Sequence, residues 1–391
     1  MSLITTTDSL RAFCTRQAET EFVTVDTEFL REKTYWPQLC LVQVAGPGEA
    51  VAIDPLAEGL DLTPLFELLA NPKVLKVFHA ARQDIEIFHH LTGKIPEPLF
   101  DTQVAAMVCG FGDSVSYETL VSKLAGVRLD KSSRFTDWSL RPLTERQLAY
   151  SLSDVVHLRP IYEKLHRRLV KSGRTLWLDR ELAVLTEPRT YNVDPQTVWQ
   201  RFRLRSAKPR FRAILRELAA WREREAQSRD LPRGRLVRDE ALLEIAAHAP
   251  GTIDDLARVR GLGRGFAEGR LGGDLLAAVA RGLAVPDHEC PIEETVYDAA
   301  PGSGPVIDLL RVLLKMKSED HHVAAKLIAS ASDLEAIAAD DEADVPALSG
   351  WRLEIFGKDA LALKHGGLAL AVSANRLKLV SLPLATGGET V

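Results

Sequence analysis

Residues Phe22–Phe29 (FVTVDTEF) alternate apolar and polar positions with β-branched side chains, the pattern of a half-buried strand. Gln38–Ala45 and Ala50–Asp54 read as two more strands, and Gly46-Pro47-Gly48 between them marks a turn. Three strands in succession predict an antiparallel meander. The period then changes. Leu62–Ala70 reads as a helix, Val74–Phe78 as a fourth strand and Gln83–Leu91 as a helix. Strands that alternate with helices favour parallel additions to the sheet. Thr102–Cys109, Tyr117–Leu124 and Glu145–Val170 are further helical stretches. The last carries Leu148, Leu152, Val155, Val156, Leu158, Ile161 and Leu165 at helical spacing. An α/β unit, a mixed sheet flanked by helices, is therefore expected over 1–195.

Beyond about residue 195 the sequence predicts no strand. Arg210–Gln227 is amphipathic, with Phe211, Ile214, Leu215, Leu218 and Trp221 on one side and arginines on the other. Leu231-Pro232-Arg233-Gly234 breaks it. Asp239–Ala247, Ile253–Arg258 and Asp274–Gly282 complete a small all-α module over 205–285. Residues 286–304, punctuated by Pro286, Pro291, Pro301, Gly302 and Gly304, read as a linker. A second all-α module is expected over 305–380, with helices at Val306–Lys317, His322–Ala329 and Asp333–Ala339. The two modules read as a diverged repeat. Each opens at a proline (Pro209, Pro305), has an acidic short helix (Asp254-Asp255-Leu256, Asp333-Leu334-Glu335) and reaches a glycine before a bulky residue (Gly261-Leu262, Gly350-Trp351).

A chain of 391 residues fits this count of two or three domains. The formal net charge of −5 argues against a uniformly basic nucleic-acid coat. That mean hides structure. Stretch 201–238 holds 13 Lys and Arg against 4 Asp and Glu, whereas 285–391 holds 9 against 17. Arg159–Arg174 carries six basic residues and only Glu163 as an acid. No run of 18 apolar residues predicts a membrane span, and the polar start predicts no signal peptide. Four cysteines far apart, with no CxxC pair, predict neither a zinc site nor a disulfide framework and fit a reducing cytoplasm.

The candidate chemistry is carboxylate chemistry. Asp26 and Glu28 lie two apart on a hydrophobic strand, so both point to one face. Such a pair repels itself unless a cation sits between the acids; an acidic strand end facing water is the plain alternative. Asp84 follows the fourth strand near the start of a helix, where an acid is also favoured by the helix dipole alone. Tyr150 and Asp154 are four apart on a helix and share a face. Taken together, four carboxylates and a phenol on one α/β unit are more specific. Oxygen-only donors suit Mg²⁺ or Mn²⁺ rather than zinc, and two such ions assist phosphodiester cleavage.

These motifs, DTE at 26–28, HAxxxD at 79–84 and YxxxD at 150–154, resemble the three motifs of the DEDDy 3′–5′ exonucleases. Thr136-Asp137-Trp138-Ser139-Leu140-Arg141-Pro142-Leu143, followed by Gln147-Leu148-Ala149-Tyr150, is similar to the ribonuclease D branch in particular. The 207–285 module resembles the HRDC domain of ribonuclease D and RecQ helicases, and 305–375 resembles a second, degenerate HRDC-like module. The resemblance implies an RNase H-like fold, two divalent metal ions, and hydrolytic trimming of RNA 3′ ends, tRNA precursors above all. It implies that Asp26, Glu28 and Asp154 hold the ion that activates water. Asp26 and Asp84, the latter through water, hold the ion at the leaving oxygen. Tyr150 orients the attacking water, a role that suits a phenol with ordinary pKa near 10 better than proton abstraction does.

Six further residues are candidates for holding RNA. Phe29 follows Glu28, where related exonucleases carry an apolar residue that wedges between terminal bases; simple core packing is the alternative. His79 lies near the expected metal site without being a needed ligand. Arg159 and Arg167 belong to the basic helix that continues from Asp154, read as a phosphate track or as a solvated face. Arg205 and Arg210 belong to the arginine-rich block, interleaved with Trp199, Phe202 and Trp221. Gly261-Leu262-Gly263-Arg264-Gly265 lacks the preceding strand of a dinucleotide fold and reads as an inter-helix turn. No P-loop and no GxSxG elbow occur. No membrane and no obligate protein partner are expected. A DNA 3′–5′ exonuclease shares every catalytic residue, and a non-catalytic RNA-binding adaptor is the rival from another class.

Overall fold

The computed structural model describes residues 2–129, 136–202, 204, 208–292 and 302–383. The α/β part opens with β1 (Ser2–Ile4) and α1 (Thr7–Gln17), followed by β2 (Phe22–Leu30), β3 (Gln38–Gly46) and β4 (Glu49–Ile53). Then come α2 (Thr63–Leu69), β5 (Leu75–Phe78), α3 (Arg82–Thr92), β6 (Leu99–Asp101), α4 (Thr102–Val108) and α5 (Tyr117–Leu120), the last continued by one π-helical turn. The long α6 (Glu145–Ser172) and α7 (Thr175–Thr186) complete it. The sheet order is β1-β4-β3-β2-β5-β6. As the sequence predicts, β2, β3 and β4 form an antiparallel meander, and β5 adds parallel to β2. The sequence pattern does not predict the three-residue β1 and β6; both pair parallel at opposite ends of the sheet.

Two apolar layers cover the sheet. Leu10, Phe13, Leu65, Ile85 and Phe88 from α1, α2 and α3 pack with Val23, Val25 and Ile53. Ala105, Leu158, Ile161, Leu165 and Leu178 from α4, α6 and α7 form the other layer. Helix α6 starts from a reciprocal cap, in which Thr144 Oγ1 accepts from Gln147 N and Gln147 Oε1 accepts from Thr144 N. It ends at Gly173, whose φ of 68° a side chain would resist.

The first helical module begins with α8 (Pro209–Ser228) and closes with the helix Arg270–Ala284. Its core holds Ile214, Leu218, Trp221, Leu242, Leu256 and Leu275. The two long helices meet at Gly282, where a Cβ would lie 2.5 Å from Ile214 Cα. The second module runs from the helix Gly304–His321 and packs Ile307, Leu310, Ile337, Trp351 and Phe356 together. Both modules carry a proline in the first turn of their long helix, and Gly261 and Gly350 both have positive φ, 88° and 54°.

One expectation is corrected here: strands do occur beyond residue 195. β7 (Leu368–Ser373) and β8 (Arg376–Ser381) form an antiparallel hairpin on the second module. Its turn residues, Ala374 and Asn375, both have positive φ, as a two-residue hairpin turn requires, but no glycine announces the turn. Most of its side chains are exposed; Leu368, Leu370 and Leu379 anchor it to the helices. Much of the expected linker, 293–301, lies outside the described residues.

Both helical modules dock on the α/β part. Asp230 accepts from Tyr35 N and Trp36 N at 3.0 and 2.9 Å, and Arg233 pairs with Glu223 beneath the Tyr35 ring. On the other side Trp177 stacks on Trp351 at 4.4 Å, and Arg352 pairs with Glu181 at 2.5 Å.

Candidate active site

Strand β2 supplies the first two acids. Period two sends Asp26 and Glu28 to one face, and helix α6 packs across that face with Asp154. One carboxylate oxygen from each of Asp26, Glu28 and Asp154 lies within 4.8 Å of the others. The ladder between β2 and β3 slips by one residue at Glu28/Phe29, where Cys40 is the extra residue of a bulge on β3 opposite the step past the second acid.

Asp84 reaches this trio from the end of β5, two residues into α3, and is buried. Its orientation is set by Thr27, whose hydroxyl donates to Asp84 Oδ1 at 2.5 Å. The turn before it, His79-Ala80-Ala81, is held by Asp101, which accepts from Ala80 N and Ala81 N at 3.2 and 2.8 Å. Ala80 there has φ 58°, a conformation the Asp101 carboxylate stabilises.

Burial raises the pKa of all four acids. Asp26 is pushed well above the ordinary carboxylate range by burial, then by the charges of Asp84, Asp154 and Glu28. Burial, followed by Asp154 and Asp84, takes Glu28 up to about 8. Burial also takes Asp84 and Asp154 up to about 7 each, with the Thr27 hydrogen bond opposing the rise at Asp84. Four such groups cannot all ionise side by side without cations among them. Gln43 supplies a second observation. It sits opposite Asp26 in the ladder, so the two side chains leave the same face, and both its amide atoms are buried with no partner among the described residues. An all-oxygen donor set with an amide to spare for a water fits a hard divalent cation.

Tyr150 lies one turn before Asp154 on α6, and its ring packs 6.2 Å from Trp138 in a cluster with Cys40 and Leu152. The segment carrying Trp138 is fastened by Arg141, which donates to Asp54 through Nε and Nη2 at 2.7 and 2.6 Å and to Trp138 O and Cys40 O. Sequence reasoning does not single out Arg141 as a fastener. It also misses Tyr117, whose hydroxyl donates to the backbone carbonyl of Asp154. An aromatic at a helix start gives no sign in the sequence that it will reach another helix.

The six RNA-binding candidates fall in different places. His79 is close to the acids: its ring is 5.4 Å from Tyr117, and Nδ1 lies 3.0 Å from Thr102 Oγ1. Because the Thr102 hydroxyl donates to Phe78 O, the histidine donates through Nδ1–H, and burial holds its pKa below the ordinary value. Phe29 is half-buried against the main core. Arg159 lies over the Phe22 ring at 4.0 Å and donates to Ala45 O and Phe22 O, bracing the ends of two strands. Arg167 is exposed and donates to Glu163 O at 3.1 Å. Arg210 is engaged by the carbonyls of Gly282, Leu283 and Val285 and by Asp287, which ties α8 to the end of the module. Arg205 lies outside the described residues.

Comparison with known proteins agrees with this geometry. A family model described as 3′–5′ exonuclease matches residues 1–170, and the HRDC domain model matches 211–279. Ribonuclease D of Granulibacter bethesdensis is 53% identical over 381 residues, 97% of this chain and 96% of that one. Ribonuclease D of Nitrobacter hamburgensis is 55% identical over 377 residues, 96% and 98% of the two chains. The crystal structure of Escherichia coli RNase D, described as an exoribonuclease involved in structured RNA processing, superposes with a TM-score of 0.79 at 33% identity, covering 93% of this chain and 98% of that one. The chain belongs to the ribonuclease D family and is a 3′–5′ exoribonuclease.

Proposed function

We propose that the enzyme trims the 3′ ends of tRNA precursors, with Asp26, Glu28, Asp84 and Asp154 holding two divalent ions, Mg²⁺ or Mn²⁺. The observation that carries this reading is the set of four acids, Asp84 buried and the others half-buried, three of them with oxygens within 4.8 Å and all with raised pKa. When bound, the ions would lower the cost of the attacking hydroxide and of the leaving oxygen's charge. The chain's own groups do the rest. Thr27 keeps Asp84 aimed at the site, and Tyr150 orients the attacking water by its phenol. Neutral His79 faces the nucleotide without competing for a cation. Release of nucleoside 5′-monophosphates follows from attack at the 3′-terminal phosphodiester.

Relatives named ribonuclease D, one of them described as acting in structured RNA processing, favour RNA over DNA and over the adaptor reading. The division into a nuclease over 1–195, an HRDC domain over 205–285, a linker over 286–304 and a second HRDC-like domain over 305–380 belongs to the same proposal. So does action in the cytoplasm without an obligate protein partner: all four cysteines are free, and among the described residues no helix is long and apolar enough to cross a membrane.

The test is Mn²⁺- or Mg²⁺-dependent release of mononucleotides from a 3′-extended tRNA, with matched DNA alongside and Asp26→Asn as control. Equal release by wild type and variant would overturn the assignment of the acids. Equal rates on RNA and DNA would overturn the substrate.

A further inference from the structure

Gln43 lies in the middle of β3 with its side chain fully buried. Neither its amide nitrogen nor its amide oxygen has a hydrogen-bond partner among the described residues. A side-chain amide carries two donors and an acceptor, all of which water satisfies in the unfolded chain. Burying them unpaired is unfavourable, so the reason for this residue must lie in what it faces.

The strand register identifies its neighbours in the sheet. Two positions before and two after it on β3, on the same face, are Leu41 and Ala45. Directly across the two ladders stand Asp26 of β2 and Ala52 of β4. Three of these four neighbours are apolar, and Leu41 and Ala52 pack in the cluster that holds Trp138, Leu152 and Tyr150. Asp26 is the neighbour with a side chain that can hydrogen-bond. The diagonal positions on β2 are Thr24 and Glu28. The Thr24 hydroxyl is already engaged, donating to Val155 O at 2.8 Å. Ser151, buried on α6, donates its hydroxyl to Leu148 O within its own helix.

Directly opposed residues of an antiparallel pair have Cβ atoms about 4.5–5.5 Å apart. Rotation about the glutamine's own side-chain bonds swings the amide across that distance with no movement of β3. The site already contains one contact of this kind: the Thr27 hydroxyl donates to Asp84 and fixes its orientation. Gln43 is placed to do for Asp26 what Thr27 does for Asp84.

We propose that Gln43 is the positioning residue of Asp26: when this carboxylate is ionised around a divalent cation, the Gln43 amide N–H donates to it and fixes its orientation. The inference rests on the metal-dependent exoribonuclease reading. Gln43 is shielded from solvent, so it acts through Asp26 and touches no RNA. The amide is unpaired in the metal-free protein, where it lowers stability, and paired in the metal-bound one. Removing it therefore moves two quantities apart: metal-free stability holds or rises while cation affinity falls. A glutamine with a purely structural role would do the reverse, lowering stability on removal and leaving cation affinity alone.

The experiment uses Gln43→Met and Gln43→Leu in the full chain, two apolar replacements of different shape. Gln38→Met, at the exposed start of the same strand, is the control. Mn²⁺ alone is titrated calorimetrically into each metal-free protein, the metal-free proteins are melted, and hydrolysis of an RNA dinucleotide is followed across Mn²⁺ concentrations. Both Gln43 variants are expected to raise the Kd for Mn²⁺ about tenfold, the low end for loss of a group that orients a metal ligand. The metal-free Tm of Gln43→Met should equal or exceed that of wild type. At limiting Mn²⁺ kcat should fall, with KM for the dinucleotide within about twofold, and the control should match wild type throughout. An unchanged Kd for Mn²⁺ would overturn the proposal. So would a metal-free Tm several degrees below wild type in both Gln43 variants, which would show that the amide already has a partner in the fold. Should wild type take up Mn²⁺ but release no mononucleotide, the exoribonuclease reading falls and the calorimetry still decides Gln43. Should wild type take up no Mn²⁺, both fall.

Discussion

Thr27 stands between the two acids of β2, and its hydroxyl donates to Asp84 Oδ1 at 2.5 Å. Neighbouring positions on a strand point to opposite faces, so Thr27 braces the acid of α3 while Asp26 and Glu28 face α6. Thr27→Val keeps the shape and removes the donor. Loss of a hydrogen bond to a charged group costs about 1.5–3 kcal/mol where the acceptor stays buried. We expect kcat to fall about tenfold and the Mn²⁺ concentration for half-maximal activity to rise. Thr27→Ser should restore both, and metal titrations of activity for the three proteins check this.

The raised acids give stability a defined pH dependence. Glu28, Asp84 and Asp154 titrate near 8, 7 and 7 when folded, against about 4 when unfolded. Between these values the folded state binds more protons than the unfolded one, so metal-free stability is highest at the acid end and falls as pH rises from about 4 to about 8. A divalent ion reverses the trend because it favours the ionised forms. Saturation at a hundredfold excess over Kd is worth about 2.7 kcal/mol. The gain in Tm on adding Mn²⁺ should be on the order of 5 °C at pH 8 and smaller at pH 6. Asp26→Asn should flatten both trends. A metal effect independent of pH would mean that the ion binds elsewhere.

How much of this was legible in the sequence depended on whether a residue's role was local. Asp26 and Glu28 declare themselves because strand period is two, and Tyr150 with Asp154 because helix neighbours are four apart. The meander and the parallel strand β5 followed from turn signals and from the switch in period. What escaped was either too short for any period, as with β1 and β6, or defined only across the fold. Tyr117 reaches α6 from a helix 37 residues away. Gln43 is an ordinary strand glutamine until the register sets it opposite Asp26. Arg210 reads as a free cation in a basic block, yet its guanidinium closes the end of its own module. Charge counting along a chain cannot tell a paired arginine from an unpaired one.

The pair Arg141–Asp54 makes a separable prediction. Asp54 is buried, and both its carboxylate oxygens meet Arg141, which also holds the carbonyls of Trp138 and Cys40. Arg141→Met leaves a buried carboxylate without its cation, at a cost of about 3 kcal/mol. It also frees the segment whose Trp138 packs beside Tyr150. Arg141→Met/Asp54→Asn should recover much of the stability, since no charge is then stranded, while kcat stays low because Trp138 is still unfastened. Denaturant melts and kcat for the two single variants and the double form the cycle. Equal recovery of stability and activity would remove the link from this pair to Tyr150.

The second helical module sits on the nuclease through backbone contact as much as side chains. Ala324 N donates to Met107 O at 2.9 Å, and Arg174 donates to His321 O and His322 O at 2.6 and 3.2 Å. The approach is close because residue 110 is glycine. Its φ is 78°, and a Cβ there would lie 2.6 Å from His322 O. Gly110→Ala is therefore unfavourable twice over, in backbone strain of about 1 kcal/mol or more and in a clash with main-chain atoms that have no side-chain freedom to yield. The module must shift away, and the stacked pair Trp177–Trp351, 4.4 Å apart with planes 10° from parallel, spans that interface. Near-ultraviolet circular dichroism should show the tryptophan signal of this pair weakened in Gly110→Ala. Trp351→Phe, which removes one indole and keeps Gly110, supplies the reference spectrum. Hydrolysis of a dinucleotide should survive the shift within about twofold, because the four acids lie on β2, α3 and α6 and none on the displaced module. An unaltered tryptophan signal would show that the interface absorbs the extra methyl group.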